Sequence, residues 1–190
     1  MNRLHVFCLI ACLLLGACGS VPPTPTDRFY RLQPVAVPSV SKALSGPIDV
    51  QPFRADSLYA ERPIIYAEES SLRQLRQYHY HLWLYPPAQM AQANLVASLG
   101  SVLDLSGDST ARSVLEGRVI GFERVVSGKN SKAVVALELH LRVDGKTRVN
   151  KIYPAQQAAA DDSLDAFVVA MEQALAKIYA EFLGDLAYRQ

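Results

Sequence analysis

Residues 133–143 read AVVALELHLRV, and this stretch decides the fold class. Apolar side chains occupy every second position, and the positions between them are mostly polar or small. Because successive side chains of a β-strand point to opposite faces of its sheet, this alternation predicts a strand with one buried face. The polar turn 127–131 joins it to a partner at 113–126, and Asp144-Gly145 leads into a further strand near 147–153. The sequence therefore predicts an antiparallel meander.

Two segments have the apolar spacing of helices that pack against a sheet. One begins near Pro87, where proline is tolerated in the first turn, and its apolar residues recur three or four apart up to Leu103. The other has the same spacing from Leu164 to Phe182, with its charged residues off that stripe. The apolar face of a sheet must be buried against another element, and each helix must likewise bury its row of apolar side chains. We therefore expect an α+β fold, a mainly antiparallel sheet with two helices packed on one face.

The length and composition predict one domain, at residues 29–190. The chain has 190 residues, half of them apolar, which is enough for one sizeable core and hardly for two. Its 19 Lys and Arg residues are balanced by 18 Asp and Glu residues and interspersed with them, so no basic surface for nucleic acid is expected. Shorter strands are expected upstream of the meander at 29–32, 48–53, 64–66 and 78–85.

The first seventeen residues are typical of a signal peptide. Arg3 precedes a short apolar run at 6–15, about half the length that a membrane-spanning helix needs. The run is followed by Leu15-Gly16-Ala17-Cys18, which resembles the lipobox of bacterial lipoproteins. The resemblance implies that a diacylglyceryl group is attached to the Cys18 sulfur, that residues 1–17 are removed, and that the new amino terminus is acylated. The alternative is an ordinary secretory signal in which Cys18 is incidental.

An acylated Cys18 would hold the protein on a membrane, because two or more fatty chains anchor stably whereas one anchors only marginally. In enteric-type lipoproteins, an Asp directly after the lipidated Cys retains the protein in the inner membrane. This chain has Gly19 at that position, so we expect the protein at the periplasmic face of the outer membrane. Residues 18–28 are rich in proline and predict an extended tether. Cys8, Cys12 and Cys18 are the only cysteines, so the chain after the tether can form no disulfide and no thiolate metal site.

A set of short motifs spans nearly the whole chain after the signal peptide. These motifs are the lipobox ending in Cys18, Phe29-Tyr30-Arg31-Leu32, Arg62 with Ile65-Tyr66, Trp83 followed by Pro86-Pro87, a strand centred on Phe122, and Ala170-Met171 with Ala174-Leu175 in the closing helix. Their order and spacing resemble the ABC-type transport auxiliary lipoprotein family, the PqiC-like proteins. The chain departs from the family in the strand 133–143, where Glu138 and His140 take outward positions at which a large aromatic is common.

The resemblance implies a subunit that is not an enzyme. Members of the family are anchored in the outer membrane and work with an MCE-domain protein, an inner-membrane permease and an ATPase to move lipids across the envelope. We therefore expect a docking component with these partners and no cofactor, and a ring of copies would suit a tube-shaped partner. The rival hypotheses are an assembly or pilotin-type lipoprotein for an outer-membrane channel, and a lipid-binding carrier or hydrolase with an internal cavity.

Arg62, Tyr66 and Trp83 are the candidate partner-binding residues. They come from neighbouring predicted strands, and arginine and aromatic side chains are enriched at protein interfaces. The alternative for Trp83 is that it fills the core beneath the first helix.

No catalytic or metal site is expected. His79 and His81 share one side of a predicted strand, but a third ligand would require His140 from another strand, so surface or interface histidines are the simpler interpretation. The sequence contains no nucleophile motif with catalytic spacing. Asp161 and Asp162 precede the closing helix, where capping by Asp162 is the expected role.

Overall fold

The computed structural model describes residues 25–39, 46–106 and 111–188. Within them, one mixed sheet of nine strands is covered on one face by two helices, which confirms the α+β fold. The strands are β1 (Arg28–Tyr30), β2 (Ile48–Val50), β3 (Arg54–Ala55), β4 (Pro63–Glu68), β5 (Arg76–Trp83), β6 (Leu105–Ser106), β7 (Ser113–Ser127), β8 (Asn130–Val143) and β9 (Lys146–Ala158). The helices are α1 (Pro87–Leu99) and α2 (Leu164–Tyr188). Neither described helix is both long enough and apolar enough to span a bilayer.

The predicted meander is present as β7, β8 and β9, which pair in antiparallel order. Side chains of β8 alternate as the sequence requires: Leu137 and Leu139 are fully buried, whereas Glu138 and His140 lie on the other face and are partly exposed. A bulge between Val119 and Gly121 interrupts the register of β7 with β8. The meander therefore has one face in the core and one face in solvent.

The sheet is mixed rather than purely antiparallel, although its long pairings are antiparallel as predicted. Strands β2, β3 and β4 each join β7 in parallel, and β1 joins β5 in parallel. Only β4 with β5 adds a further antiparallel pair to those of the meander. In the strand order β1-β5-β4-β7, the first strand of the chain, β1, is an edge strand of the sheet.

The two helices share one core with the inward face of the sheet. The hydroxyl of Tyr179 in α2 donates a hydrogen bond to the Asn94 side chain in α1 over 3.0 Å, which joins the helices directly. Helix α1 ends at Leu99, earlier than the apolar spacing up to Leu103 suggests, although the Leu103 side chain still reaches the core.

The cap of α2 differs from the prediction. The Ser163 hydroxyl accepts a hydrogen bond from the backbone N–H of Ala166 over 3.0 Å, which is the geometry of an N-cap. The carboxylate of Asp161 accepts the backbone N–H of Ser163 over 2.8 Å. Hydrogen bonds from the Ser163 side chain, and then from its backbone N–H, lower the pKa of Asp161. The N-cap bond is therefore made by Ser163 and not by Asp162 as predicted, and the backbone carbonyl of Asp162 accepts a hydrogen bond from Arg124.

Candidate functional site

The solvent face of the meander carries an apolar band, here named the outer stripe. Ile152 is 50% exposed and Ile120 is 37% exposed, although both are large aliphatic side chains. Pro154 of β9 pairs with Ala136 of β8, and Val134 lies two residues before Ala136 on β8. The outer stripe thus consists of Ile120, Val134, Ala136, Ile152 and Pro154.

A polar basin of about 570 Å³ adjoins the outer stripe on the same face. Arg118 pairs with Glu138 over 2.9 Å and with Asp56 over 3.2 Å, and the hydrogen bond to Glu138 is the main cause that raises the pKa of Arg118. His140 lies 3.4 Å from Glu116 in the same basin. Arg118, Glu138 and Glu116 therefore have charged partners within the domain, as in a solvated ion-pair network.

A second exposed apolar surface lies along the edge strand β1. Phe29 is 52% exposed, Tyr85 is 51% exposed and Leu84 is 39% exposed. Leu84 donates its backbone N–H to the Tyr30 carbonyl over 2.7 Å, which holds the chain after β5 beside β1. Two exposed arginines complete this surface, which we name the edge patch. It consists of Phe29, Arg31, Arg62, Leu84 and Tyr85.

An apolar groove of about 280 Å³ opens within the edge patch. Leu84 and Tyr85 form one wall, Arg31 and Pro34 lie on another, and Met90 of α1 is part of the lining. Helix α1 and the segment after β1 are fixed together, because Asn94 donates to the Gln33 carbonyl over 2.7 Å and Ser98 accepts the Val35 N–H over 3.0 Å. The groove is therefore built on connected elements.

The structure separates the three candidate partner-binding residues. Trp83 is fully buried, with ring centroids 5.3 Å from Phe122 and 5.9 Å from Phe167, so the core alternative holds for it and it offers no surface to a partner. Arg62 is exposed, and its guanidinium lies 4.9 Å from the Phe29 ring centroid. Its Nε donates to the Trp83 carbonyl over 3.1 Å. Of the three, Arg62 alone belongs to the edge patch.

Tyr66 belongs to an aromatic cluster near the start of α2. Its ring lies 4.5 Å from the Tyr78 ring, and the Tyr78 hydroxyl accepts a hydrogen bond from Arg124 over 3.0 Å. Arg124 is only 5% exposed, and its other terminal nitrogen donates to the Asp162 carbonyl over 2.5 Å. The cluster therefore joins the sheet to the segment just before α2, and the sequence analysis missed this role of Arg124.

The histidines do not converge on a metal site. His81 lies against Tyr30, with Nδ1 3.0 Å from the tyrosine oxygen, and burial followed by the charge of Arg28 lowers its pKa. His79 is exposed beside Tyr80, and His140 is in the polar basin. Across the described ranges, no three His, Cys, Asp or Glu side chains are placed to hold a metal ion.

The lipobox residues Leu15, Gly16, Ala17 and Cys18 lie outside the described residues, as does the part of the predicted tether before Pro25. The sequence analysis placed Leu84 and Tyr85 inside the predicted strand 78–85 and missed their exposure. In the structure β5 ends at Trp83, so both residues follow the strand.

Comparisons with known proteins show the fold. The chain has a TM-score of 0.71 to a crystal structure of protein XCC0632 from Xanthomonas campestris, described with the family DUF330, at 17% identity over 85% of this chain and 96% of that one. A second crystal structure, of an uncharacterized protein, has a TM-score of 0.70 at 18% identity over 85% of this chain and 99% of the other. No protein-family model matches the chain, and no curated protein matches it significantly.

Proposed function

We propose that the protein is a lipoprotein of the PqiC-like family, anchored through Cys18 to the periplasmic face of the outer membrane. In this proposal it is a docking subunit, without catalytic activity, of an MCE and ABC-type lipid transport system. The lipobox supports the anchor, and the fold shared with a DUF330 protein supports the family. A ring of copies around a tube-shaped MCE partner is part of the proposal.

The outer stripe is the observation that carries the docking role. A protein interface has an apolar centre and a polar rim, and its core is depleted of charge. The outer stripe combines the exposed Ile120 and Ile152 with a charged border, because Glu138, which is paired with Arg118, lies opposite Ile152 in the register of β8 with β9. Since those charges already have partners, docking there need not leave a buried charge unpaired.

Photo-crosslinking from the outer stripe tests this function. A photoreactive residue at Ile152 in the intact lipoprotein should capture the MCE-domain protein in cells. The matched control is Val169, which is also 50% exposed but lies on helix α2. Equal capture from both positions, or none from Ile152, would contradict docking at the outer stripe. Capture of an outer-membrane channel protein would instead support the assembly role.

A deletion strain tests the transport role independently of the surface. Loss of the protein should weaken the outer-membrane barrier, measured as sensitivity to detergent, and complementation should restore resistance. Unchanged detergent resistance and unchanged lipid asymmetry would contradict a part in lipid transport.

A further inference from the structure

We propose that the edge patch lies against the phospholipid leaflet that holds the anchor. Phe29, Leu84 and Tyr85 enter the headgroup region, and Arg31 and Arg62 bind lipid phosphates. This inference rests on the acylation of Cys18, which is part of the proposed function. It assigns the two exposed apolar surfaces to different occupants, the outer stripe to protein and the edge patch to lipid.

The position of the edge patch along the chain favours the membrane. Strand β1 begins at Arg28, ten residues after Cys18, and an extended chain of that length spans at most about 35 Å. Phe29 belongs to this first strand, so the patch is where the anchored segment joins the sheet. Tethering at so short a distance gives a high effective concentration, and a weak affinity is then enough for docking.

The side chains of the edge patch suit a membrane interface. Proteins that lie on a bilayer present aromatic and aliphatic side chains beside lysine or arginine, and the apolar groups enter the boundary between headgroups and acyl chains. Phe29, Leu84 and Tyr85 supply the apolar groups. The Arg62 guanidinium lies 4.9 Å from the centroid of the Phe29 ring. The methylene groups of Arg62 can therefore enter the headgroup region beside this ring while the guanidinium binds lipid phosphates.

The charges distinguish the edge patch from the outer stripe. Among the described residues, neither Arg31 nor Arg62 forms an ion pair with a carboxylate. Arg28 adds a further positive charge, and the Glu172 carboxylate near this edge is occupied by the Gln33 backbone N–H over 2.6 Å. Guanidinium groups that have no carboxylate partner in the domain are available to external anions, and lipid phosphates supply such anions across a whole surface.

A single engineered cysteine tests the proposal on the acylated protein. All native cysteines lie in residues 1–18, and after processing only Cys18 remains, with its sulfur alkylated, so a new cysteine is the one free thiol. Tyr85→Cys carries an environment-sensitive dye, and Asn150→Cys, exposed in the polar basin, is the matched control. Both proteins are reconstituted in phosphatidylethanolamine and phosphatidylglycerol vesicles that contain a nitroxide-labelled lipid.

The expected result is selective quenching of the dye at Tyr85. Its quenching should exceed that at Asn150 about threefold, because interfacial side chains sit roughly 5–10 Å deep. Equal quenching of the two dyes on vesicle-bound protein would overturn the inference while leaving the anchor intact. Protein that stays in solution would contradict the acylation, and with it the anchor in the proposed function. Leu84→Cys gives a second position for the same comparison.

Removing one positive charge tests the role of the arginines. Arg31→Gln should lower the ratio of docked to undocked domain about fivefold, since each arginine near an anionic surface contributes by that amount. Arg54→Gln, an exposed arginine of β3, is the control and should leave the ratio unchanged. Equal effects of both variants would overturn the phosphate contact. Capture of the MCE protein from a photoreactive residue at Tyr85 would make the edge patch a protein interface and overturn the inference.

Discussion

The outer stripe and the edge patch expose similar apolar groups but differ in their charges. Ile152 and Tyr85 are each about half exposed, so apolar area does not separate the two surfaces. The arginines do: Arg118 beside the outer stripe is held by Glu138 and Asp56, whereas Arg31 in the edge patch pairs with no carboxylate among the described residues. The proposed occupants of the two surfaces are therefore assigned from the pairing of the charges and not from the apolar area.

The largest expected effect is on membrane attachment. Cys18→Ser removes the sulfur to which, in the proposed function, a diacylglyceryl group is attached, so the protein should move from the membrane fraction to the soluble periplasm. The edge patch alone should not hold it, because stable anchoring needs more than one membrane signal. Fractionation with acyl labelling measures this. A Cys18→Ser protein that stays with the membrane and remains acylated would contradict the anchor.

The next effect separates the core from the edge patch. Trp83→Ala should destabilise the fold by about 3–5 kcal/mol, because the indole is fully buried between two phenylalanine rings. Tyr85→Ala, two residues later, should change the free energy of unfolding by less than about 0.5 kcal/mol. Urea unfolding of both variants measures the difference. A similar loss from both would show that Tyr85 is a core residue rather than part of an open surface.

A smaller effect concerns the affinity for the protein partner. Burial of an isoleucine side chain contributes roughly 1.5–3 kcal/mol, so Ile152→Asp should weaken binding of the MCE protein at least about tenfold. The control Val169→Asp changes an equally exposed residue on α2 and should leave the affinity unchanged. Equal losses, measured by titration of the purified proteins, would remove the distinction between the outer stripe and the rest of the surface.

The smallest effect is a pH dependence at the edge strand. Burial, and then the charge of Arg28, lowers the pKa of His81, so the unfolded chain binds this proton more readily than the folded one does. The contribution of neutral His81 to the free energy of unfolding is fully present above the pKa of the unfolded chain, about 6.5. It is lost as the pH falls through the lower pKa that His81 has in the folded protein. His81→Gln should flatten this part of the profile, measured as urea midpoints between neutral and mildly acidic pH. An unchanged slope would show that other groups cause it.

The meander could be predicted because it depends on local pattern. Residues 133–143 alternate strictly, and that alternation fixes which side chains of β8 enter the core. The parallel additions of β2, β3 and β4 to β7 could not be predicted in the same way. Periodicity specifies a face of a strand and not its neighbour, and β2 and β3 have only three and two residues.

The candidate site was predicted only in part, for a related reason. Arg62 is exposed, and its role in partner binding stays a prediction, whereas Trp83 was placed with it because arginine and tryptophan are both frequent at interfaces. Burial of Trp83 is decided by Phe167, more than eighty residues away in the chain. The unpaired state of Arg31 likewise depends on which carboxylates the fold brings near, and no spacing in the sequence encodes that.

The most direct test compares photoreactive residues at Ile152 and Tyr85 in the same cells. The proposal that an acylated domain docks a protein with one surface and rests on lipid with the other predicts two different products. Ile152 should capture the MCE-domain protein, and Tyr85 should capture phospholipid and no protein. Capture of the MCE protein from Tyr85 and not from Ile152 would contradict the assignment of both surfaces.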